Sequence, residues 1–285
     1  MSRLPTYFIS HGGGPWPYLD GDFRRMFDRL EQSLVDIRRE LNNEPRAVLV
    51  ITGHWEEKGF AISSGEQPGM VYDYSGFPEH TYHIRYRAPG SPELARRVQE
   101  LLQVGGIPAR LDPQRGYDHG TFSIMKPLYP EEAIPLVQLS IDQSYDPELH
   151  LRLGGLLAPL RDEGVLIIGS GLSYHNLRDA RSTVGAEPSR VFDAWLRETL
   201  TAATPEERTA RLIDWERAPL ARAAHPQEDH LVPLMAAVGA AEGDAGAVVY
   251  HQKDLFGGIT ASSFRFGEAP TRRESNIEEK ASVQA

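Results

Sequence analysis

The sequence predicts an α/β fold: a single domain with a central, largely parallel or mixed β-sheet flanked by helices on both faces. Three observations predict it. Short apolar, β-branched runs recur along the 285 residues; stretches with helical apolar spacing separate them; and no internal repeat or linker interrupts the series.

Tyr7-Phe8-Ile9-Ser10 opens the series as a short buried strand and runs into His11 and three glycines. Phe23, Phe27, Leu30, Leu34, Ile37 and Leu41 then alternate at spacings of four and three, the period of one helix face, and Pro45 closes that element. Ala47 to Ile51 is a continuous apolar run, as in a strand buried on both faces, and leads into Thr52-Gly53-His54-Trp55. Residues 65–90 hold Pro68, Gly69, Gly76, Pro78, Pro89 and Gly90 among tyrosines and phenylalanines; a long aromatic loop inside a domain is usually functional. Ser91-Pro92 starts a helix, serine as N-cap and proline at its first position, and Gly105-Gly106 ends it.

Ile134 to Ile141 reads as the next strand and Leu149 to Leu160 as a helix weakened by Gly154-Gly155. Val165 to Ile168 is another buried strand, followed by Gly169-Ser170-Gly171. Residues 189–200 and 230–241 are helical in pattern, and Ala247–Tyr250 and Ile259–Phe266 strand-like. The domain is assigned to residues 1–267; residues 268–285, polar and without apolar periodicity, are expected to be a disordered tail.

Composition narrows the function. There is no cysteine, so disulfides, thiolate metal sites and cysteine nucleophiles are excluded, and any metal must be held by nitrogen and oxygen. A net charge of -10 repels phosphate backbones, which argues against nucleic acid. No apolar run approaches the ~20 residues that span a bilayer. The N-terminus lacks the apolar stretch of a signal peptide, so a cytoplasmic protein acting on a small molecule is expected.

Histidine placement carries the chemistry. Three strand-like runs finish at His11, His54 and His175. Ligands bind beyond the carboxyl ends of strands in open α/β sheets, so neighbouring strands would bring these imidazoles into one crevice. His230 starts an apolar helical run, where the positive end of the helix dipole favours neutral imidazole. His119 precedes another apolar segment. His80 and His83 fall in the aromatic loop as candidate pocket residues; His225 is a minor candidate; His150 is expected on the surface of an amphipathic helix; His251 is expected to be structural. Such a set suits non-haem iron(II), which binds substrate and O2 together, or catalytic zinc with a bound water. Tyr72, Tyr74, Phe77, Tyr82 and Tyr86 are candidate walls for an aromatic substrate, Tyr74, Phe77 and Tyr82 foremost.

The motifs Ile9-Ser10-His11-Gly12-Gly13-Gly14-Pro15, Gly53-His54-Trp55, Tyr72-Asp73-Tyr74-Ser75-Gly76-Phe77-Pro78 and Tyr117-Asp118-His119-Gly120 occur in order. Gly169-Ser170-Gly171 with His175-Asn176-Leu177, and His225-Pro226-Gln227-Glu228-Asp229-His230, follow them. Together they resemble the class III extradiol ring-cleavage dioxygenases of the LigB-type superfamily, in the branch similar to 4,5-DOPA dioxygenase, over about residues 6–266. The resemblance implies one iron(II) per chain, with zinc able to replace it in purified protein. It implies a small aromatic diol and O2 as substrates, and a monomer or homodimer. Carried over by motif, His11 and His54 match two metal ligands and His230 the third, although other branches use a carboxylate there, for which Glu228 and Asp229 are the alternatives. His175 matches the acid–base histidine, with coordination by His175 itself when the site holds zinc as the open alternative, and His119 matches a histidine that contacts substrate. Gly13-Gly14-Pro15-Trp16 replaces the shorter Ser-Pro turn of many members.

Two other readings compete. Memo-like proteins share the superfamily as non-enzymatic metal-binding or interaction proteins. His11-Gly12-Gly13-Gly14 resembles an esterase oxyanion loop, but Gly171-Leu172-Ser173-Tyr174-His175 lacks the final glycine of a nucleophile elbow.

Overall fold

Neighbouring residues on one central strand belong to two different apolar cores. Val48 and Val50 pack into one cluster and Leu49 and Ile51 into another, because side chains alternate across a strand and this sheet is covered on both faces. The computed structural model describes residues 3–42, 45–180 and 182–270. The expected tail lies, from residue 271 onward, outside the described residues.

The strands are β1 (Thr6–Ser10), β2 (Ala47–Glu57), β3 (Phe60–Ser63), β4 (Ala109–Asp112), β5 (Leu136–Asp142), β6 (Val165–Gly171), β7 (Gly246–Leu255) and β8 (Ile259–Phe266). They form one mixed sheet in the order β4-β3-β5-β2-β6-β1-β8-β7. The centre, β5-β2-β6-β1, is parallel, whereas β3 and β8 run antiparallel to their inner neighbours. The α/β class expected from the sequence holds, with a mixed sheet. β1 and β2 both flank β6, so the strands that lead to His11, His54 and His175 are neighbours.

Several elements differ from the sequence reading. The helix expected over residues 23–41 is two, Gly21–Arg25 and Asp28–Leu41, and Phe27 packs between them, fully buried. β2 continues past Gly53 to Glu57, so His54 sits inside a strand whose register with β5 shifts between Ile51 and Glu56. β3 and β4, only four residues each, have too short a period to read from sequence. The Ser91 side chain does cap the helix Pro92–Val104, accepting the Leu94 N–H.

The helix Val232–Ala241 is apolar all round, and it is sandwiched between the sheet and the helix Pro147–Leu157. Glycines make that approach possible. A Cβ on Gly154 would lie 2.0 Å from the Ala236 carbonyl oxygen, and one on Gly239 would lie 2.0 Å from that of Leu151. The Gly154-Gly155 pair that weakens the helix by propensity is therefore clearance for the partner helix. Gly154→Ala separates the two effects. Helix propensity alone would stabilise by about 1 kcal/mol. The backbone clash should win and leave a net loss of roughly 1–3 kcal/mol, read as a lower Tm. A raised Tm would contradict this packing.

Candidate metal centre

His11 follows β1 directly and is almost fully buried. His54 reaches it from β2, and the two Nε2 atoms are 3.2 Å apart. His230 lies in the turn before the helix Val232–Ala241, not on it, and its Nε2 is 3.1 Å from His54 Nε2. That turn is pressed against the strand ends: the Leu172 N–H donates to the His230 carbonyl, and a Cβ on Gly171 would sit 2.1 Å from that oxygen. A Cβ on Gly53 would likewise sit 2.7 Å from the Asp229 carbonyl oxygen. Both glycines admit the His230 segment to the sheet.

Two carboxylates stand behind the rings. Asp73 accepts from His54 Nδ1 at 3.0 Å with one oxygen and from His119 Nδ1 at 2.8 Å with the other. The His119 backbone N–H also donates to Asp73, at 3.1 Å. Asp229 accepts from His230 Nδ1 at 2.6 Å, and His175 Nδ1 is 3.5 Å from the same oxygen. A carboxylate only accepts, so each hydrogen-bonded Nδ1 carries the proton and Nε2 keeps its lone pair. Burial alone would raise the pKa of both acids, but the hydrogen bonds from His119 and His54, and from His175 and His230, hold Asp73 and Asp229 well below the usual carboxylate range.

The imidazoles are tuned in opposite directions. Burial, then repulsion from the His54, His230, His119 and His175 rings, pulls His11 well below 6.5. Burial and His175 do the same to His230 despite Asp229. Burial also lowers His54, but Asp73, Asp118 and Asp229 outweigh it and the net shift is upward. The neutral, lone-pair-bearing form favoured at His11 and His230 is the one a metal takes.

The donor set fits a divalent ion. Three imidazole nitrogens, with His54 Nε2 at 3.2 Å from that of His11 and 3.1 Å from that of His230, would hold such an ion as a nitrogen donor set. Within the described residues, two further groups combine a carboxylate with two histidines, His54-Asp73-His119 and His175-Asp229-His230. In each, the carboxylate is engaged by imidazole Nδ1 groups, so these read as hydrogen-bonded supports. Glu228 turns away to Arg222, 2.6 Å from its Nη2.

The cluster floors a cavity of about 440 Å3. His119 and His175 line it beside His11, His54 and His230. Tyr74 and Phe77 also line it, whereas Tyr82 stands behind Tyr74, ring centroids 5.3 Å apart, and does not reach the wall. Tyr86 is buried, its hydroxyl donating to the Tyr129 carbonyl, and Tyr72 donates to that of Ile84. His80 and His83 are also off the wall: His80 bonds the Tyr18 carbonyl and His83 bonds Glu79, both exposed. His225 is buried against Phe192 and Trp215, and burial pushes its pKa down to about 3, so it is neutral packing.

His150, expected at the surface, is fully buried. Its Nδ1 bonds the Asp146 carbonyl, its Nε2 accepts the Asp142 N–H, and its ring meets Phe60 edge-on. Ser173, the hydrolase candidate, is buried, accepts the Ser262 N–H and does not line the cavity. Asp73 and Asp229 were missed as ring-orienting residues. The available signal was an acid beside or within a histidine motif: Asp73 in Tyr72-Asp73-Tyr74, and Asp229 immediately before His230.

The family model for the catalytic LigB subunit of aromatic ring-opening dioxygenase matches residues 5–267. The chain belongs to this family. It is 38% identical to a 4,5-DOPA dioxygenase extradiol of Beta vulgaris over 92% of this chain and 96% of that one. It is 32% identical to the 4,5-DOPA dioxygenase extradiol of Escherichia coli K12, over 93% of this chain and 96% of that one. A crystal structure of an uncharacterized protein from Escherichia coli K12 superimposes with a TM-score of 0.74 at 29% identity, covering 93% of this chain and all of that one. This places the chain among the class III extradiol enzymes, in the DOPA dioxygenase-like branch, as a ring-cleavage dioxygenase. Membership implies a metal cofactor, an aromatic substrate and O2. Among the described residues no helix is long and apolar enough to cross a membrane.

Orienting carboxylates behind metal-bound imidazoles have a measurable signature. Asp229→Asn should leave the fold intact and weaken divalent-metal binding about 10- to 100-fold. Chelator competition with zinc reads the change; unaltered affinity would place the metal away from His230.

Proposed function

We propose that this chain opens the ring of a catecholic substrate beside its two hydroxyls, using O2 and one iron(II) held by His11, His54 and His230. The observation that carries the reading is the meeting of three imidazole Nε2 atoms, at 3.1 and 3.2 Å, on the floor of an aromatic-walled cavity. When bound there, the iron supplies Lewis acidity that makes the diol hydroxyls easier to ionise and a redox centre for O2.

The chain's own residues supply position and proton transfer. His54 and His230 offer Nε2 lone pairs because their Nδ1 protons are committed to Asp73 and Asp229. His175 lines the cavity with its ring stacked on that of His230, centroids 3.4 Å apart. It takes a hydroxyl proton from the bound diol and later returns one to the opening ring, the general-base and general-acid roles of an imidazole. His119, tied through Nδ1 to Asp73, accepts a substrate hydrogen bond at Nε2. Tyr74 and Phe77 wall the substrate ring and keep water from it. The product is a ring-opened semialdehyde carboxylate that contains both atoms of O2. The catalytic domain is residues 1–267, and the enzyme acts on a diffusible small molecule in the cytoplasm.

The test is anaerobic loading with iron(II), then admission of air with a panel of catechols. O2 uptake and a coloured semialdehyde are expected, and chelation should abolish both. His175→Ala should retain metal and lose turnover by about 10²–10⁴-fold. His11→Ala and His54→Ala should lose the metal itself. Ring opening that persists in chelator, or at full rate in His175→Ala, contradicts the assignment.

A further inference from the structure

Beyond Tyr74 three phenylalanines continue the cavity wall, which Leu172, Leu177 and Ala180 complete. Ring follows ring outward from the histidines: His119 to Tyr74 at 5.9 Å, Tyr74 to Phe77 at 5.5 Å, Phe77 to Phe23 at 5.7 Å and Phe23 to Phe256 at 6.3 Å. The last three come from distant parts of the chain and all line the same cavity. They converge over the Gly13-Gly14 backbone. A Cβ on Gly13 would lie 3.4 Å from Phe256 Cζ and 3.6 Å from Phe23 Cζ. One on Gly14, whose φ is +54°, would lie 2.5 Å from Phe77 Cζ. The glycine run after His11 is thus a bare floor on which the rings rest.

Two further features mark this end as built for a ligand. Phe23, Phe77 and Phe256 are each only half-buried, so aromatic surface stands uncovered toward the cavity. Phe256, in the turn between β7 and β8, has a φ of +50°. A bulky side chain rarely adopts that conformation, and such strain gathers at ligand clamps. Among the described residues no lysine or arginine lines the cavity, and its one carboxylate, Asp73, is engaged by His54 and His119.

We propose that Phe23, Phe77 and Phe256, over Gly13-Gly14, form a substituent subsite that selects catechols bearing an uncharged apolar group, alkyl or aryl. The inference rests on the ring-opening reading of this cavity. An apolar substituent gains by leaving water and covering the three rings, about fourfold in affinity per methylene. An ionised substituent directed there would lose its hydration without an opposite charge in return.

Zinc-loaded protein tests this by binding alone, because zinc has no redox chemistry. Titration calorimetry compares catechol, 4-methylcatechol, 4-ethylcatechol and 4-propylcatechol with 3-(3,4-dihydroxyphenyl)propanoate and L-DOPA. Affinity should rise about fourfold per methylene. The propanoate and L-DOPA should bind at least tenfold more weakly than 4-propylcatechol. Phe256→Ala should flatten the alkyl series while catechol itself binds as before. A flat series in the wild type, or carboxylates bound as tightly as 4-propylcatechol, overturns the subsite while ring opening stands. Failure of any catechol to bind defeats the ring-opening reading and the subsite with it.

Discussion

The site depends on holding the His11 and His230 imidazole nitrogens each about a hydrogen-bond length from that of His54. Burial and mutual repulsion keep His11 and His230 neutral. Side-chain flexibility could not hold that arrangement. It comes from backbone: two strands on either side of β6, and a turn pressed onto the strand ends where Gly53 and Gly171 leave room. The buried apolar helix Val232–Ala241 anchors that turn from behind, and its own approach depends on Gly154 and Gly239. Glycine clearance and histidine geometry are therefore one construction.

The carboxylates divide the site into two halves. Asp73 joins His54 to His119, and Asp229 joins His230 to the vicinity of His175. In the proposed mechanism each acid links one metal-holding ring to one substrate-facing ring. The orientation of His54 and His230, and of the groups that handle substrate, is thereby set by the same two residues.

Much of the fold was legible because its central strands are buried on both faces and read as unbroken apolar runs, as at Ala47–Ile51 and Val165–Ile168. The gathering of His11, His54 and His175 was legible for a related reason, since parallel strands deliver their carboxyl ends to one edge. His230 arrives from a helix-leading turn, and periodicity placed it on the helix itself. What stayed illegible depends on contacts remote in sequence. Asp73 sits in an irregular loop with no period to announce it. His150 lies in a helix of amphipathic pattern, yet its ring packs edge-on against Phe60 of β3, where both of its nitrogens find partners. Tyr82 and Tyr86 share the composition of the substrate wall, but one backs Tyr74 and the other joins the core. The Gly13-Gly14 floor acquires meaning only when Phe23, Phe77 and Phe256 are seen resting on it.

The most direct measurement is anomalous diffraction at the iron edge from crystals loaded and kept without oxygen. One peak per chain is predicted, its protein ligands being Nε2 of residues 11, 54 and 230. Iron bound instead between Asp73 and His119, or between Asp229 and His175, would contradict the account, as would iron-soaked crystals with no ordered peak at the three rings.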